Sequence, residues 1–264
     1  MALTGSKTVA EYPKDWVVPQ WSAPSTVFAF VTTRLNGASC APFDAFNLGL
    51  HVGDDSTHVH VNRDRLSQAL PIQRPLQWLE QVHGNQIVDA IGDGVTRQAD
   101  AAYVDGAGIA AAVMTADCLP VFFASKNGRR VAVAHAGWRG LLNGVLENTL
   151  ARFPDDPSNV LVWFGPAIAQ CHFEVGAEVR DAFLKGEVSS ENRALISEHA
   201  FRPGETVGKY YADLYLLARL RLQACGVVTI TGGTLCSYCD SQHFYSYRRD
   251  GRTGRFASVI GLVG

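Results

Sequence analysis

Two soft metal ligands, Cys118 and His135, bracket two apolar runs, Leu119–Ala124 and Val131–Ala134, joined by Lys126-Asn127-Gly128-Arg129. Asn-Gly between apolar runs signals a hairpin, because both residues tolerate positive φ. With Asn127 and Gly128 as the two loop residues, residue 120 faces residue 135 and residue 118 faces residue 137. Cys118 and His135 then lie diagonally on one face at the open end of the hairpin. Diagonal neighbours are roughly 7–8 Å apart between backbones, within reach of one ion. A slip of one residue would turn every side chain to the other face.

A third ligand is needed, and His83 in Glu80-Gln81-Val82-His83-Gly84 is the best placed, at the end of an apolar strand and before a turn. Two nitrogens and one sulfur suit zinc, and three protein ligands leave a fourth position open, the pattern of a catalytic rather than a structural site. Asp117, beside Cys118, would serve in proton transfer or hold a ligand in place. The competing reading makes Cys118 a small buried residue and His135 a satisfied core histidine.

Other patterns carry less. Cys236-x-x-Cys239 is half a zinc site or a redox pair. No second such pair exists. Cys171-His172 could complete a site, but nothing in the sequence requires it, so ordinary loop thiols are expected. His58-x-His60 falls in a predicted helix, where i and i+2 point to different faces. A blue-copper centre wants two His, a Cys and an axial Met. The methionines are Met1 and Met114, and eight histidines are too few for a conventional multicopper oxidase. Arginine forks bind phosphate or carboxylate bidentately. Arg139 lies between glycines at a predicted helix start that itself favours anions, and Arg248 follows Phe244-Tyr245-Ser246-Tyr247, whose tyrosines could stack on a flat ring. Arg34 and Arg63 are weaker candidates. Gly-x-Ser-x-Gly, Walker, His-Glu-x-x-His and Gly-x-Gly-x-x-Gly motifs are absent.

A chain of 264 residues has room for one large domain or two small ones. Its net charge of −2 gives no sign of a nucleic-acid or membrane partner. No apolar run approaches the roughly 18 residues of a membrane span. The segment MALTGSKTVAEYPKDW has no apolar signal-peptide core, so a cytoplasmic location is expected, with the six cysteines reduced.

The elements that must position these residues follow from periodicity. Residues 1–25 read as a loosely packed lead-in with Pro13, Pro19 and Pro24, and residues 26–264 as a single domain. Strands are predicted over Val27–Arg34, Leu76–His83, Gln86–Ala90, Asp100–Val104, Ile109–Thr115, the hairpin, Val160–Phe164, Val227–Thr231 and Phe256–Leu262. Helices are predicted from Ser56 as N-cap to Leu70, over Trp138–Phe153, Val175–Leu184 and Tyr210–Cys225. Ser189–Thr206 reads as polar and irregular. Strands clustered in mid-chain with flanking helices make an α+β fold.

Gln81–Gly84, Ala99–Ala101, Thr115–Pro120, His135–Gly140, Gly165–Ile168 and Phe244–Asp250 together resemble the YfiH family. That family is also called multicopper polyphenol oxidoreductase (laccase), purine nucleoside phosphorylase and peptidoglycan editing factor. The likeness runs from Thr26 to Leu262 and includes Asn47-Leu48-Gly49, which adds Asn47 to the substrate-binding candidates. The resemblance implies a single four-layer α/β/β/α sandwich. It also implies zinc, in preference to copper, on His83, Cys118 and His135, and activity on nucleoside and phosphate. The implied reactions are phosphorolysis of adenosine, inosine, guanosine and methylthioadenosine, with adenosine deamination beside them. The alternatives are an editing amidase on cytoplasmic cell-wall (UDP-MurNAc) precursors, a copper polyphenol oxidase, and a non-catalytic zinc-stabilised binding protein.

Overall fold

The computed structural model describes residues 12–187 and 189–264. Strand β1 (Val27–Val31) and helix α1 (Ser56–Gln68) come first, followed by the short strands β2 (Leu79–Glu80), β3 (Ile87–Asp89) and β4 (Arg97–Gln98). Four longer strands follow: β5 (Ala101–Val104), β6 (Ala110–Thr115), β7 (Leu119–Ser125) and β8 (Val131–Ala136). Helices α2 (Trp138–Leu142) and α3 (Val145–Leu150) precede β9 (Val160–Phe164), β10 (Glu174–Gly176), α4 (Ala177–Gly186) and α5 (Ser190–Leu195). Then come β11 (Phe201–Pro203), β12 (Lys209–Ala212), α6 (Leu214–Ala224), β13 (Thr229–Gly232), α7 (Tyr247–Asp250) and β14 (Phe256–Leu262).

A six-stranded sheet runs β13-β9-β7-β8-β5-β3, and a three-stranded antiparallel sheet runs β1-β14-β6. Side chains alternate across each strand, and the three apolar clusters follow that alternation. Val121 and Phe123 of β7 meet Leu141, Leu146, Val179, Phe183 and Leu217 on the helical side. Phe122 and Ala124 turn the other way and meet Val113, Phe256 and Ile260 of the smaller sheet. That sheet's outer face, with Phe28, Phe30, Ala112 and Val259, packs on Leu66 of α1 and on Phe46 and Leu48. Helix, sheet, sheet and helix therefore lie in four layers, the α/β/β/α order that the resemblance implied.

The hairpin register is the expected one, with Pro120 opposite His135 and Leu119 opposite Ala136. Its loop is longer than two residues. The ladder closes at Ser125 and Arg130, and Gly128 donates its N–H to Ser125 O at 2.9 Å. Gly128 has φ 70°, whereas Asn127 keeps negative φ and uses its side-chain oxygen to accept from Ser125 Oγ and Arg129 N. Both closures give the same pairing, which is why the register survives.

Other boundaries moved for identifiable reasons. Asp55, not Ser56, caps α1 by accepting the Thr57 N–H. Gly144, at φ 86°, breaks the predicted Trp138–Phe153 helix into α2 and α3. Tyr210–Ala212 pairs as part of β12, and Asp213 caps α6 behind it. The segment after Ser189, expected to be irregular, forms α5, one π turn (Ile196–Ala200) and β11. Residues 1–11 of the lead-in lie outside the described residues. From Tyr12 onward it is tied in: Trp16 is buried, its ring centre 4.7 Å from that of Phe30, and Val17 bridges Val31.

Candidate metal centre and pocket

The chain leaves the smaller sheet at Thr115 and enters the larger one at Leu119, so Ala116-Asp117-Cys118 crosses between sheets. By alternation His135 faces the inter-sheet side, because Ala134 and Ala136 face the helices. His83 comes from the turn after β2, in the left-handed region at φ 59°. The ligand atoms of His83, Cys118 and His135 all lie within 4.8 Å of one another. Cys118 Sγ is 3.9 Å from His83 Nε2. His83 is exposed, Cys118 half-buried and His135 buried.

Asp100 builds this arrangement. It is fully buried just before β5, and its carboxylate accepts the N–H groups of Val82, His83 and Gly84 at 3.2, 2.9 and 2.6 Å. That grip holds His83 in its left-handed turn. Asp100 Oδ1 also takes His135 Nδ1 at 2.8 Å, which fixes the tautomer and leaves Nε2 free for a metal. Burial alone would raise the Asp100 carboxyl, but the hydrogen bond and charge of His135 pull it below the usual carboxylate range. Burial would likewise raise the Cys118 thiol; attraction from His135, with help from His83, brings it down to about 6. Burial works against the His135 cation, and Cys118 and Asp100 overcome it, raising this imidazole to about 9. A thiol so readily ionised, beside two imidazoles, is a donor set suited to a soft divalent ion.

Glycine makes the close packing possible. A Cβ on Gly137 would stand 3.0 Å from Cys118 Sγ and 3.1 Å from His83 Cδ2. One on Gly140 would meet Gly84 O at 2.7 Å. The glycines around Trp138-Arg139 thus admit the ligands and the 82–84 turn.

The trio opens on a cavity of about 400 Å³, lined also by Asp117, Phe173, Tyr247, Arg248 and Arg255. Asp117 is strained at φ 101° and fully engaged. Its Oδ1 accepts from Ser237 Oγ and its Oδ2 from the Arg248 N–H, both at 2.7 Å. Arg248 Nη1 donates to Glu174 O at 2.8 Å, and its guanidinium lies over Phe173.

Three of the predicted substrate contacts lie outside this lining. Arg139 is exposed and stacks on its neighbour Trp138. Arg63 lies over Trp78, donates to Leu48 O, and is lowered to about 10 by burial. Asn47 is buried, and its Oδ1 accepts the N–H groups of Gly49 and Arg255, each at 2.9 Å. It supports the backbone of a pocket arginine that sequence reasoning missed. His51, Gln81 and Phe173 were missed as well, whereas Tyr247, one of the tyrosines expected to stack on a flat ring, does line the cavity. Burial and the nearby Arg255 lower His51, which keeps it neutral at pH 7. The signal for Arg255 was faint: one arginine after Thr253-Gly254 in a loop already rich in them.

The family model described as multi-copper polyphenol oxidoreductase laccase matches residues 28–263. The chain belongs to this family, the YfiH family. Among YfiH relatives, a purine nucleoside phosphorylase of Pseudomonas aeruginosa is 49% identical over 94% of this chain and 98% of its own length. The purine nucleoside phosphorylase YfiH of Escherichia coli is 48% identical over 94% and 98%. Among solved structures, a Neisseria meningitidis protein superposes with a TM-score of 0.88 at 44% identity, covering 95% of this chain and all of that one. YlmD from Geobacillus stearothermophilus does so at 0.84 and 33%, over 94% and 100%. Among the described residues no helix is long and apolar enough to cross a membrane.

Proposed function

We propose that this YfiH-family protein is a zinc-dependent purine nucleoside phosphorylase. Adenosine, inosine, guanosine and methylthioadenosine are its substrates, and it deaminates adenosine as well. The observation that carries the reading is the convergence of His83, Cys118 and His135 on a cavity whose walls also offer two guanidinium groups and two aromatic rings. A volume of about 400 Å³ is at the small end of the range of roughly 300–1,000 Å³ for small-molecule sites. It suits a nucleoside with phosphate better than a nucleotide-sugar peptide, and the names of the relatives point the same way.

Zinc held by the three side chains would supply Lewis acidity at the open fourth position. The chain's own residues do the rest. Asp100 fixes both histidines and carries negative charge behind His135. Arg248 and Arg255 face the cavity as cations able to hold phosphate against the ribose C1′. Phosphorolysis then forms the phosphate O–C1′ bond as the C1′–N9 bond to the purine breaks, and the proton of hydrogen phosphate passes to the departing purine. Phe173 and Tyr247 offer faces for the purine ring. Asp117, with both oxygens occupied, positions the Arg248 backbone.

Purified protein incubated with adenosine and phosphate should give adenine with ribose 1-phosphate, and inosine, resolved by chromatography. No product above a Cys118→Ala control would sink the reading. One feature bears on the rival copper oxidase: two His, one Cys and the cavity-lining Met114 resemble a blue-copper set. The Met114 sulfur, however, lies 3.8 Å from Arg63 Nη2 and is engaged there. Copper in the isolated protein together with oxygen uptake on catechols would favour that rival.

A further inference from the structure

A second group of ligand atoms converges behind the pocket wall. Cys171 and His172 lie in the loop between β9 and β10, and Cys236 and Cys239 in the loop after β13. Their Sγ and imidazole nitrogen atoms all lie within 4.8 Å of one another. Cys171 Sγ is 3.8 Å from Cys239 Sγ, and His172 Nδ1 is 3.1 Å from Cys171 Sγ and 3.4 Å from Cys239 Sγ. We propose that Cys171, His172, Cys236 and Cys239 form a second, structural zinc site.

Distance and donor type both favour this. Tetrahedral zinc, with Zn–S about 2.3 Å and Zn–N about 2.0 Å, holds two sulfurs about 3.8 Å apart and a sulfur and a nitrogen about 3.5 Å apart. A disulfide needs sulfurs about 2.05 Å apart, and all six cysteines are free thiols. Three sulfurs and one imidazole select zinc over hard cations. Four protein ligands also leave no open position, the mark of a structural site.

The surroundings are built for it. Cys236 Sγ accepts the N–H groups of Ala169 and Cys239, each at 3.4 Å, which aim and stabilise a thiolate. The His172 ring stacks on Tyr238 with centres 3.9 Å apart. Arg249 Nη1 donates to Ser237 O and Tyr238 O inside the Cys236–Cys239 loop, so a cation sits beside the net negative charge of three thiolates on a divalent ion.

The consequence reaches the pocket. Ser237 N donates to Ala167 O at 3.0 Å, so the two loops already touch through the backbone. Zinc would lock them together. From these loops come the Ser237 hydroxyl on Asp117 and the His172 carbonyl that, with the Glu174 carbonyl at the start of β10, receives Arg248 Nη1. The second zinc therefore fixes Arg248 and Phe173 without touching substrate. The proposal does not rest on the nucleoside reaction.

The test uses the full chain carrying Cys118→Ala, which removes the only thiolate of the pocket trio. Purified under reducing conditions, it should retain one zinc per chain by plasma mass spectrometry. Cobalt added to the metal-stripped variant should give strong thiolate-to-cobalt charge-transfer absorption, and adding Cys236→Ser and Cys239→Ser should abolish it. Should that last variant fail to fold, the zinc content and cobalt spectrum of Cys118→Ala decide alone. Absence of both zinc and cobalt absorption in Cys118→Ala would overturn the proposal. So would a disulfide among Cys171, Cys236 and Cys239 in protein alkylated at isolation.

Discussion

Asp100 does more for the pocket than its plain appearance in Ala99-Asp100-Ala101 suggests. One carboxylate orients His135 through its ring and His83 through three backbone N–H groups. Asp100→Asn would present an NH2 where an acceptor is needed, loosening both histidines together. Metal affinity should fall about 10–100-fold, the usual cost of losing a partner that orients a metal ligand, as read by competition with a chromophoric chelator. Unchanged affinity would mean that Asp100 only shapes the turn. Cys118 allows a separate measurement. In metal-free protein its thiol ionises at about 6, so the thiolate dominates at neutral pH. Alkylation at Cys118, followed by peptide mass spectrometry, should rise through pH 6 and level off by about pH 7, where an ordinary thiol would still be climbing toward about 8.5. A midpoint near the ordinary value would show that His135 does not hold the thiolate.

At the scale of elements, the hairpin makes the site, and Gly137 keeps room for it. Gly137 has φ −65°, which any residue can adopt. Gly137→Ala should therefore leave helix α2 and the thermal midpoint nearly unchanged. Its Cβ would press on Cys118 Sγ and His83 Cδ2, so metal affinity should drop by about tenfold or more, roughly 1.4 kcal/mol. Circular dichroism and metal titration of the same sample separate the two effects; a large loss of stability with intact affinity would contradict this account. The hairpin was also the most legible part of the chain. Two continuous apolar runs around Asn-Gly give the same pairing whether the loop has two residues or four, so Cys118 and His135 could be paired from sequence. Asp100 could not be assigned its role, because its partners at 82–84 and 135 meet it only through the fold. The same holds for Cys171-His172, which nothing local ties to Cys236-x-x-Cys239. The β12 segment was absorbed into a helix because Tyr210–Cys225 is apolar enough for both, and only the Asp213 cap marks the boundary.

At the scale of the whole molecule, the trio stands outside the apolar clusters of the core. Apolar clusters fill the spaces between four layers, and their members are apolar side chains of strands, helices and loops rather than His83, Cys118 or His135. The inter-sheet cluster is closed by Phe122 stacked on Trp163, ring centres 5.5 Å apart, well inside the sandwich, whereas His83 is exposed at its rim. On the proposed function, His83→Ala should then abolish nucleoside turnover while leaving a cooperatively folded protein. The stability at risk is only the linkage of the bound ion, about 2.7 kcal/mol when free metal exceeds its dissociation constant a hundredfold. For a chain of this size that corresponds to a fall in Tm of very roughly 5–10 °C. Calorimetry with and without added zinc measures it: the wild-type midpoint should rise further with zinc than the variant's, which keeps only the Cys171, His172, Cys236 and Cys239 cluster. An unfolded His83→Ala chain would instead make the ion part of the architecture and favour a zinc-stabilised binding protein. Phe122→Ala provides the contrast. It opens a void in the inter-sheet core and should cost about 3–5 kcal/mol, unfolding the sandwich at lower temperature while the native fraction still binds metal. Opposite responses of activity and stability in these two variants would separate the chemistry at the rim from the core that positions it.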